Sequence, residues 1–337
     1  MKKYLQLIAI AVMAVLVLAA CGSDGAKETS GDSNDNGEKE KTYKIGATQI
    51  VEHPSLDEAY RGFQAALKDA GLNVEYDLQS AQGDQNNVNP IAKNFVADNV
   101  DLIFANSTPS ALGAVQATSD IPIVFTSVTD AVGAGLIKSM EEPGGNVTGV
   151  LDLHPGAIQS TVEFIEANFE GANVGLIYNA GEQNSVTQIE AVKEAVKGTS
   201  LSISERTVAS SAEVQQAAST LVGEADVFYI VTDNTVVSAL ESVVGVANEQ
   251  DIPLIVGEPD SLKKGGFATF GIDYYTIGYR SGEMAVDILT GKNEPKDIPA
   301  EHPQEIQLFI NKQAAEKQAV EWNEEWDEAA KFVEPAE

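Results

Sequence analysis

Apolar and polar residues alternate along this chain in two rhythms. Tyr43 to Thr48 is a short, largely apolar run of strand length. Leu56, Tyr60, Phe63, Leu67 and Ala70 then recur every three or four positions, the spacing that lines one face of a helix. Ser55 and Glu58 have the arrangement of a capping box at its start. Gly71 ends the helical pattern, and Leu72 to Leu78 opens another strand. Strand, turn and helix continue to follow one another to about residue 273, which predicts parallel sheets flanked by helices.

Two stretches of this pattern match each other. Asp101-Leu-Ile-Phe-Ala-Asn runs through a helix into Asp120-Ile-Pro-Ile-Val, and Asp226-Val-Phe-Tyr-Ile-Val runs through a helix into Asp251-Ile-Pro-Leu-Ile. Lys44-Ile-Gly-Ala likewise matches Asn173-Val-Gly-Leu, each leading to a helix with a capping pattern, Ser55 with Glu58 and Ser185 with Gln188. The expectation is an α/β protein of two similar open parallel-sheet lobes joined by hinge strands, with functional loops at the carboxyl ends of the strands. Phe267 to Tyr274 is expected to cross back to the first lobe. Two facing lobes form a cleft that closes about a hinge.

The amino terminus has a different character. Lys2 and Lys3 precede a nearly unbroken apolar run from Leu5 to Ala20, shorter than the roughly 20 residues that span a bilayer. It ends Leu18-Ala-Ala-Cys21-Gly, which resembles a bacterial lipoprotein signal with Cys21 as the lipidated residue. The segment that follows is acidic and free of large apolar residues, a solvated tether. The expected organisation is therefore a signal peptide over 1–20, lipidated Cys and tether over 21–41, lobe 1 over 42–152 plus about 275–300, and lobe 2 over 153–274 plus about 301–337.

Charge narrows the chemistry. Fifty-one acids against 21 bases leave a net charge of −30, and only Arg61, Arg206 and Arg280 are arginine. Such a surface repels nucleic acid, and scarce arginine disfavours bidentate capture of phosphate or dicarboxylates. The single cysteine forms no disulfide framework, and His53, His154 and His302 lack metal-ligand spacing. No cofactor motif is present.

The lipoprotein signal, the tether and the paired lobes together resemble the substrate-binding protein of a bacterial ABC importer. Thr48-Gln-Ile-Val-Glu-His-Pro-Ser-Leu-Asp57, Asn106-Ser-Thr-Pro-Ser-Ala111, Thr232-Asp-Asn-Thr235 and Gly271-Ile-Asp-Tyr-Tyr275 resemble the family typified by tryptophan/tyrosine ABC transporter substrate-binding proteins. The resemblance runs from about Lys44 to Asn311. Ala131 departs from it, standing where proline is expected after Asp130. It implies a type I periplasmic-binding-protein-like fold, a ligand in the interlobe cleft, and a permease with its ATPase as partners. It also implies a membrane-held extracytoplasmic location and a monomer that performs no chemistry.

In such a fold the ligand meets residues just past each strand. Ser107 and Thr108 precede Pro109 at a helix start, where free N–H groups suit a carboxylate, although Thr108 as a simple cap explains the pattern equally. Asn184 and Ser185 hold the matching place in lobe 2. Asp233 and Asp273 follow apolar strands and are candidate partners for an ammonium group, with Asp130 and Glu258 as weaker candidates; all four also fit as loop acids or caps. Gln49, Tyr178, Asn179 and Asn234 supply neutral hydrogen-bonding groups. Tyr60, Tyr178 and Tyr274 are candidate stackers or core residues. With His53 the only possible cation in these loops, a zwitterion is favoured, and the resemblance points to an aromatic amino acid. Trp322 and Trp326, four residues apart, are expected to clamp one acidic helix onto a lobe.

Two other classes stay open on the residues alone. A binding protein for a sugar, nucleoside or signalling ligand uses the same side chains. A cleft enzyme is less favoured, because no nucleophile elbow, P-loop or zinc-protease motif occurs.

Overall fold

A computed structural model describes residues 41–334; the signal, Cys21 and most of the tether lie outside the described residues. The chain from Lys41 onward is one compact unit built of two α/β lobes. The first contains β1 (Thr42–Gln49), α1 (Pro54–Asp69), β2 (Asn73–Ser80), α2 (Gln85–Ala97), β3 (Leu102–Asn106), α3 (Thr108–Ala117), β4 (Ile123–Val128) and β5 (Val147–Leu151). These strands form a five-stranded sheet ordered β2-β1-β3-β4-β5, parallel throughout.

The second lobe follows with α4 (Ala157–Asn168), β6 (Asn173–Asn179), α5 (Gln183–Ala195), β7 (Ser202–Val208), α6 (Val214–Leu221), β8 (Val227–Ile230), α7 (Asn234–Val237), α8 (Leu240–Glu249), β9 (Leu254–Val256), α9 (Asp260–Lys264) and β10 (Ala268–Gly271). The chain then returns as α10 (Tyr274–Leu289) to pack on α1, and ends as β11 (Gln307–Ile310), α11 (Lys312–Lys317), α12 (Trp326–Ala329) and β12 (Lys331–Phe332). The second sheet runs β12-β11-β10-β9-β8-β6-β7, and its one antiparallel pair is β10 with β11.

The internal match seen in the sequence reappears at the level of single bonds. Asp101 Oδ2 accepts from the Lys44 amide at 2.8 Å, and Asp226 Oδ2 accepts from the Asn173 amide at 2.8 Å. In each lobe the acid just before a buried strand ties down one amide near the start of the neighbouring strand. Such edge amides would otherwise lack a ladder partner.

Residues on both faces of the central strands are buried, which is why those strands read as nearly continuous apolar runs, while the edge strands β2 and β7 are more polar and exposed. In lobe 1, Ile45, Phe63, Leu67 and Phe104 pack on one side of the sheet, and Phe95, Ile103, Phe125 and Ile123 on the other. Helices α1 and α10 approach almost backbone to backbone. A Cβ at Gly278 would overlap the carbonyl of Ala59, and one at Gly62 the carbonyl of Tyr275.

Three local expectations change. Strand β10 stays in the second lobe, and the crossing is made by the residues after it, since Ile272 and Tyr274 already pack in the first lobe's core. Trp322 and Trp326 do not share a helix: α11 ends where Ala319 turns to φ 52°, and Trp326 only begins the four-residue α12. Their rings still meet edge to face at 5.2 Å, and Trp326 packs against Phe164 and Phe267. Helix α5 opens at Gln183 after Glu182, so Ser185 is buried within its first turn rather than capping it.

Candidate functional site

The carboxyl ends of both sheets face one another across a cleft, and the lobes close there on a small cavity lined by residues of both. Lobe 1 contributes Val51, His53, Ser55 and Leu56 from the loop into α1, and Ser127 and Thr129 from the end of β4. Lobe 2 contributes Asn184, Thr232, Asp233, Asn234, Val237 and Glu258. Asp152 and Tyr274 stand at two of the chain crossings.

Pro54 decides the local geometry at the start of α1. A residue before proline is held extended, which is the backbone of an N-cap, so His53 takes that place at φ −152°, ψ 138°. Its ring Nδ1 accepts from the Ser55 amide at 3.3 Å. The expected capping box is therefore absent, and Ser55 is free to cross the cleft. Its hydroxyl donates to Glu258 Oε2 at 2.6 Å and lies 2.8 Å from Asp260 Oδ2. Because Nδ1 of His53 is an acceptor, the neutral ring carries its proton on Nε2. That nitrogen has no hydrogen-bond partner and stands 3.7 Å from Glu258 Oε1. Burial holds the ring's pKa below the ordinary histidine value, with the Glu258 charge opposing.

Three acids line the cavity, and their hydrogen bonding differs. Glu258 Oε1 accepts from the Ser261 amide and hydroxyl, and Oε2 from the Asp260 amide and Ser55. Asp233 caps α7, its Oδ1 accepting from the Val236 amide at 2.7 Å and its Oδ2 from the Asn179 amide at 2.6 Å. Burial, reinforced by the Glu182 charge, raises its pKa to about 7 despite these bonds. Asp152 is half-buried as a residue and only half satisfied, its Oδ1 being the buried atom. Tyr274 donates its hydroxyl to Oδ2 at 3.1 Å, and Oδ1 has no partner. Burial raises its pKa to about 6; Tyr274, its own amide and the nearby Thr129 hydroxyl offset part of that shift, Thr129 without reaching hydrogen-bond geometry.

The helix N-terminus in lobe 2 that faces the cavity is already filled by protein carboxylate. Glu182 Oε1 accepts from the amide and hydroxyl of Thr235, and Oε2 from the amide and side chain of Asn234. At the end of β3, Ser107 caps α3 by accepting from the Ser110 amide. Ser107 sits at φ 145° and Ser127 at φ 55°, conformations that side chains other than glycine rarely adopt. Both lie at strand ends facing the cleft, and Ser127 donates to Asn106 Oδ1.

Of the residues chosen from the sequence, Asn184, Asp233, Asn234 and Glu258 line the cavity. Thr108 stands one layer behind, accepting from the Thr129 amide, and also lines a groove at the rim with Gly181 and Glu182. Asn179 braces α7 by bonding Thr235, and Ser185 is buried beneath Asp233. Gln49 donates to Asp57, and Asp130 accepts from the Gly133 amide in a turn. Tyr178 packs in the lobe 2 core with its hydroxyl on Glu205, and Tyr60 packs against Tyr76 and Phe104. Asp273 caps α10 and lines a separate groove beside the hinge. The sequence choice missed Ser55 and Asp152. Asp152 directly follows apolar β5, so the strand-end position that singled out Asp233 was a signal that could have found it. Among the described residues no cluster of acids, histidines or cysteines is placed to hold a metal.

The chain has relatives among known proteins. It is 43% identical to the tyrosine-binding protein of Clostridioides difficile over 92% of this chain and 90% of that one. A solved domain from Streptococcus pneumoniae in complex with L-Trp superposes with TM-score 0.82 at 33% identity, covering 87% of this chain and 100% of that one. The ligand-free, open structure of a substrate binding protein from Clostridium difficile reaches TM-score 0.65 at 39% identity, covering 87% of this chain and 100% of that one. A family model for ABC transporter substrate binding proteins matches residues 44–333, and the chain belongs to that family.

Proposed function

We propose that this substrate-binding protein captures an aromatic amino acid outside the cytoplasm, closes its lobes about it, and presents the closed form to an ABC permease. The observation that carries the reading is the buried interlobe cavity, with an unpaired carboxylate oxygen on Asp152 and an unpaired N–H on His53. A zwitterion supplies one partner of each sign, which a neutral sugar does not. The lobe arrangement adds support: the L-Trp-bound neighbour superposes better than the open one despite lower identity. The tyrosine-binding relative points to the same ligand class.

Delivery to the permease draws its energy from the partner ATPase. No helix among the described residues is long and apolar enough to cross a membrane. We assign the attachment to lipid on Cys21, which the signal-like sequence before it motivates, and a single chain suffices to form the site. An aromatic amino acid has about 12–15 heavy atoms, enough for affinity of about 1 μM or tighter at ordinary ligand efficiency. Calorimetric titration of ligand-stripped protein with the twenty amino acids and a small sugar panel tests the reading. Saturable binding of tyrosine, tryptophan or phenylalanine is the expected result. Binding only of sugars or nucleosides overturns the ligand assignment.

A further inference from the structure

We propose that Asp152, through its free Oδ1, receives a charged primary amine on the ligand, and that Tyr274 is the positioning residue that holds this carboxylate for it. The proposal rests on the amino-acid reading above and names the group that recognises the amine.

A buried ammonium needs an acceptor with a lone pair to spare, because leaving it unpaired costs far more than the attraction of a distant charge returns. Of the three acids that line the cavity, Glu258 and Asp233 have both oxygens engaged by amides and hydroxyls of their own lobe or of Ser55. An amine reaching either would have to share or displace those bonds. Asp152 Oδ1 is the acid oxygen that is buried in the cavity wall with no partner. An isolated buried carboxylate is unfavourable in the empty protein, which is the state that burial, raising its pKa to about 6, describes. A cationic partner removes that penalty.

The position also links recognition to closure. Asp152 directly follows β5, where the chain leaves the first lobe, and its amide donates to the Val128 carbonyl. Tyr274 opens α10, where the chain comes back, and its hydroxyl donates to Asp152 Oδ2. The amine receptor is thus built from two hinge crossings tied by one hydrogen bond. Ligand charge is read at the hinge rather than on either lobe.

The test compares L-tyrosine with its analogue lacking the amine, 3-(4-hydroxyphenyl)propanoate, by calorimetry on the purified protein, on Asp152→Asn and on Tyr274→Phe. Thermal melts check that each variant is folded. In the unaltered protein tyrosine is expected to bind about 100-fold tighter than the analogue, the scale of a buried charge-assisted bond. Asp152→Asn should reduce that ratio to about threefold or less, chiefly by weakening tyrosine. Tyr274→Phe should weaken tyrosine about tenfold while leaving the analogue nearly unchanged, a difference that a merely structural role of the hydroxyl does not produce. A folded Asp152→Asn protein with an unchanged ratio overturns the proposal and leaves the amino-acid reading standing. Should that variant not fold, an unchanged ratio in Tyr274→Phe overturns it in the same way. Failure of the unaltered protein to bind any amino acid overturns the reading and the proposal together.

Discussion

The hydroxyl of Ser55 donates to the carboxylate of Glu258 across the cleft at 2.6 Å, joining residues 203 positions apart in the chain. Each side of this contact is prepared by its own lobe. His53 takes over the capping of α1 and releases Ser55. The amides at the start of α9 fix Glu258, and a Lys263–Asp260 ion pair anchors the adjacent acid. The bond exists only when the lobes are together, so it stabilises the closed form relative to the open one.

Replacing Ser55 with alanine removes one charge-assisted hydrogen bond, worth about 1.5–3 kcal/mol. Because the loss falls on the closed form alone, tyrosine affinity is expected to drop about 10- to 100-fold. Small-angle X-ray scattering should show the ligand-free variant with a larger radius of gyration. Unchanged affinity and an unchanged radius would show that the bond does not contribute to closure.

Burial raises Asp152 to about 6 and Asp233 to about 7, above the ordinary aspartate value of 3.8. Between about pH 4 and 7 the native chain therefore holds more protons than the unfolded chain. Stability from these groups is present in acid and declines as pH rises through that window. The informative comparison is with Asp152→Asn. In urea unfolding of ligand-free protein, that variant should be more stable than the original at pH 7.5, by at most about 3 kcal/mol. The gain should vanish near pH 4. An equal difference at both pH values would remove Asp152 from the account.

Gly278 lies where α10 presses its backbone on Ala59 of α1. Alanine is the better helix former, but here its methyl group meets a main-chain carbonyl that cannot rotate away. Gly278→Ala should cost about 1–3 kcal/mol in urea unfolding while leaving the order of ligand preference intact. A neutral or stabilising outcome would mean that the two helices separate without penalty.

Cys21→Ser tests the membrane attachment. Fractionation of cells producing this variant should move the protein from the membrane pellet to the soluble fraction, with ligand binding unaltered. A variant that stays in the pellet would point to attachment by the apolar run before it.

Local physics made much of this protein legible in its sequence. Strand and helix periods, the glycines between them and the matched Asp101 and Asp226 segments each reflect interactions among near neighbours or within one lobe. The two-lobe α/β plan and the location of the cleft at the strand ends follow from them, whereas the family was reached through the resemblance of particular motifs such as Asn106 to Ala111 and Thr232 to Thr235. The acidic composition, with few arginines, disfavoured nucleic acid, phosphate and dicarboxylates but left sugars and nucleosides open beside a zwitterion.

The role of each candidate acid was decided by tertiary structure. Asp152, Asp233 and Asp273 all come at the end of apolar strands and look alike on that ground. Asp233 is saturated by an amide 54 residues away together with one three residues on, and Asp273 faces a groove outside the cavity as a cap. Asp152 alone of the three keeps a buried oxygen free. Likewise Ser55 reads as a cap beside Glu58 until Glu258 arrives from the other lobe. Hydrogen-bond satisfaction depends on which distant groups folding brings within 3 Å, and a local pattern carries no record of those partners.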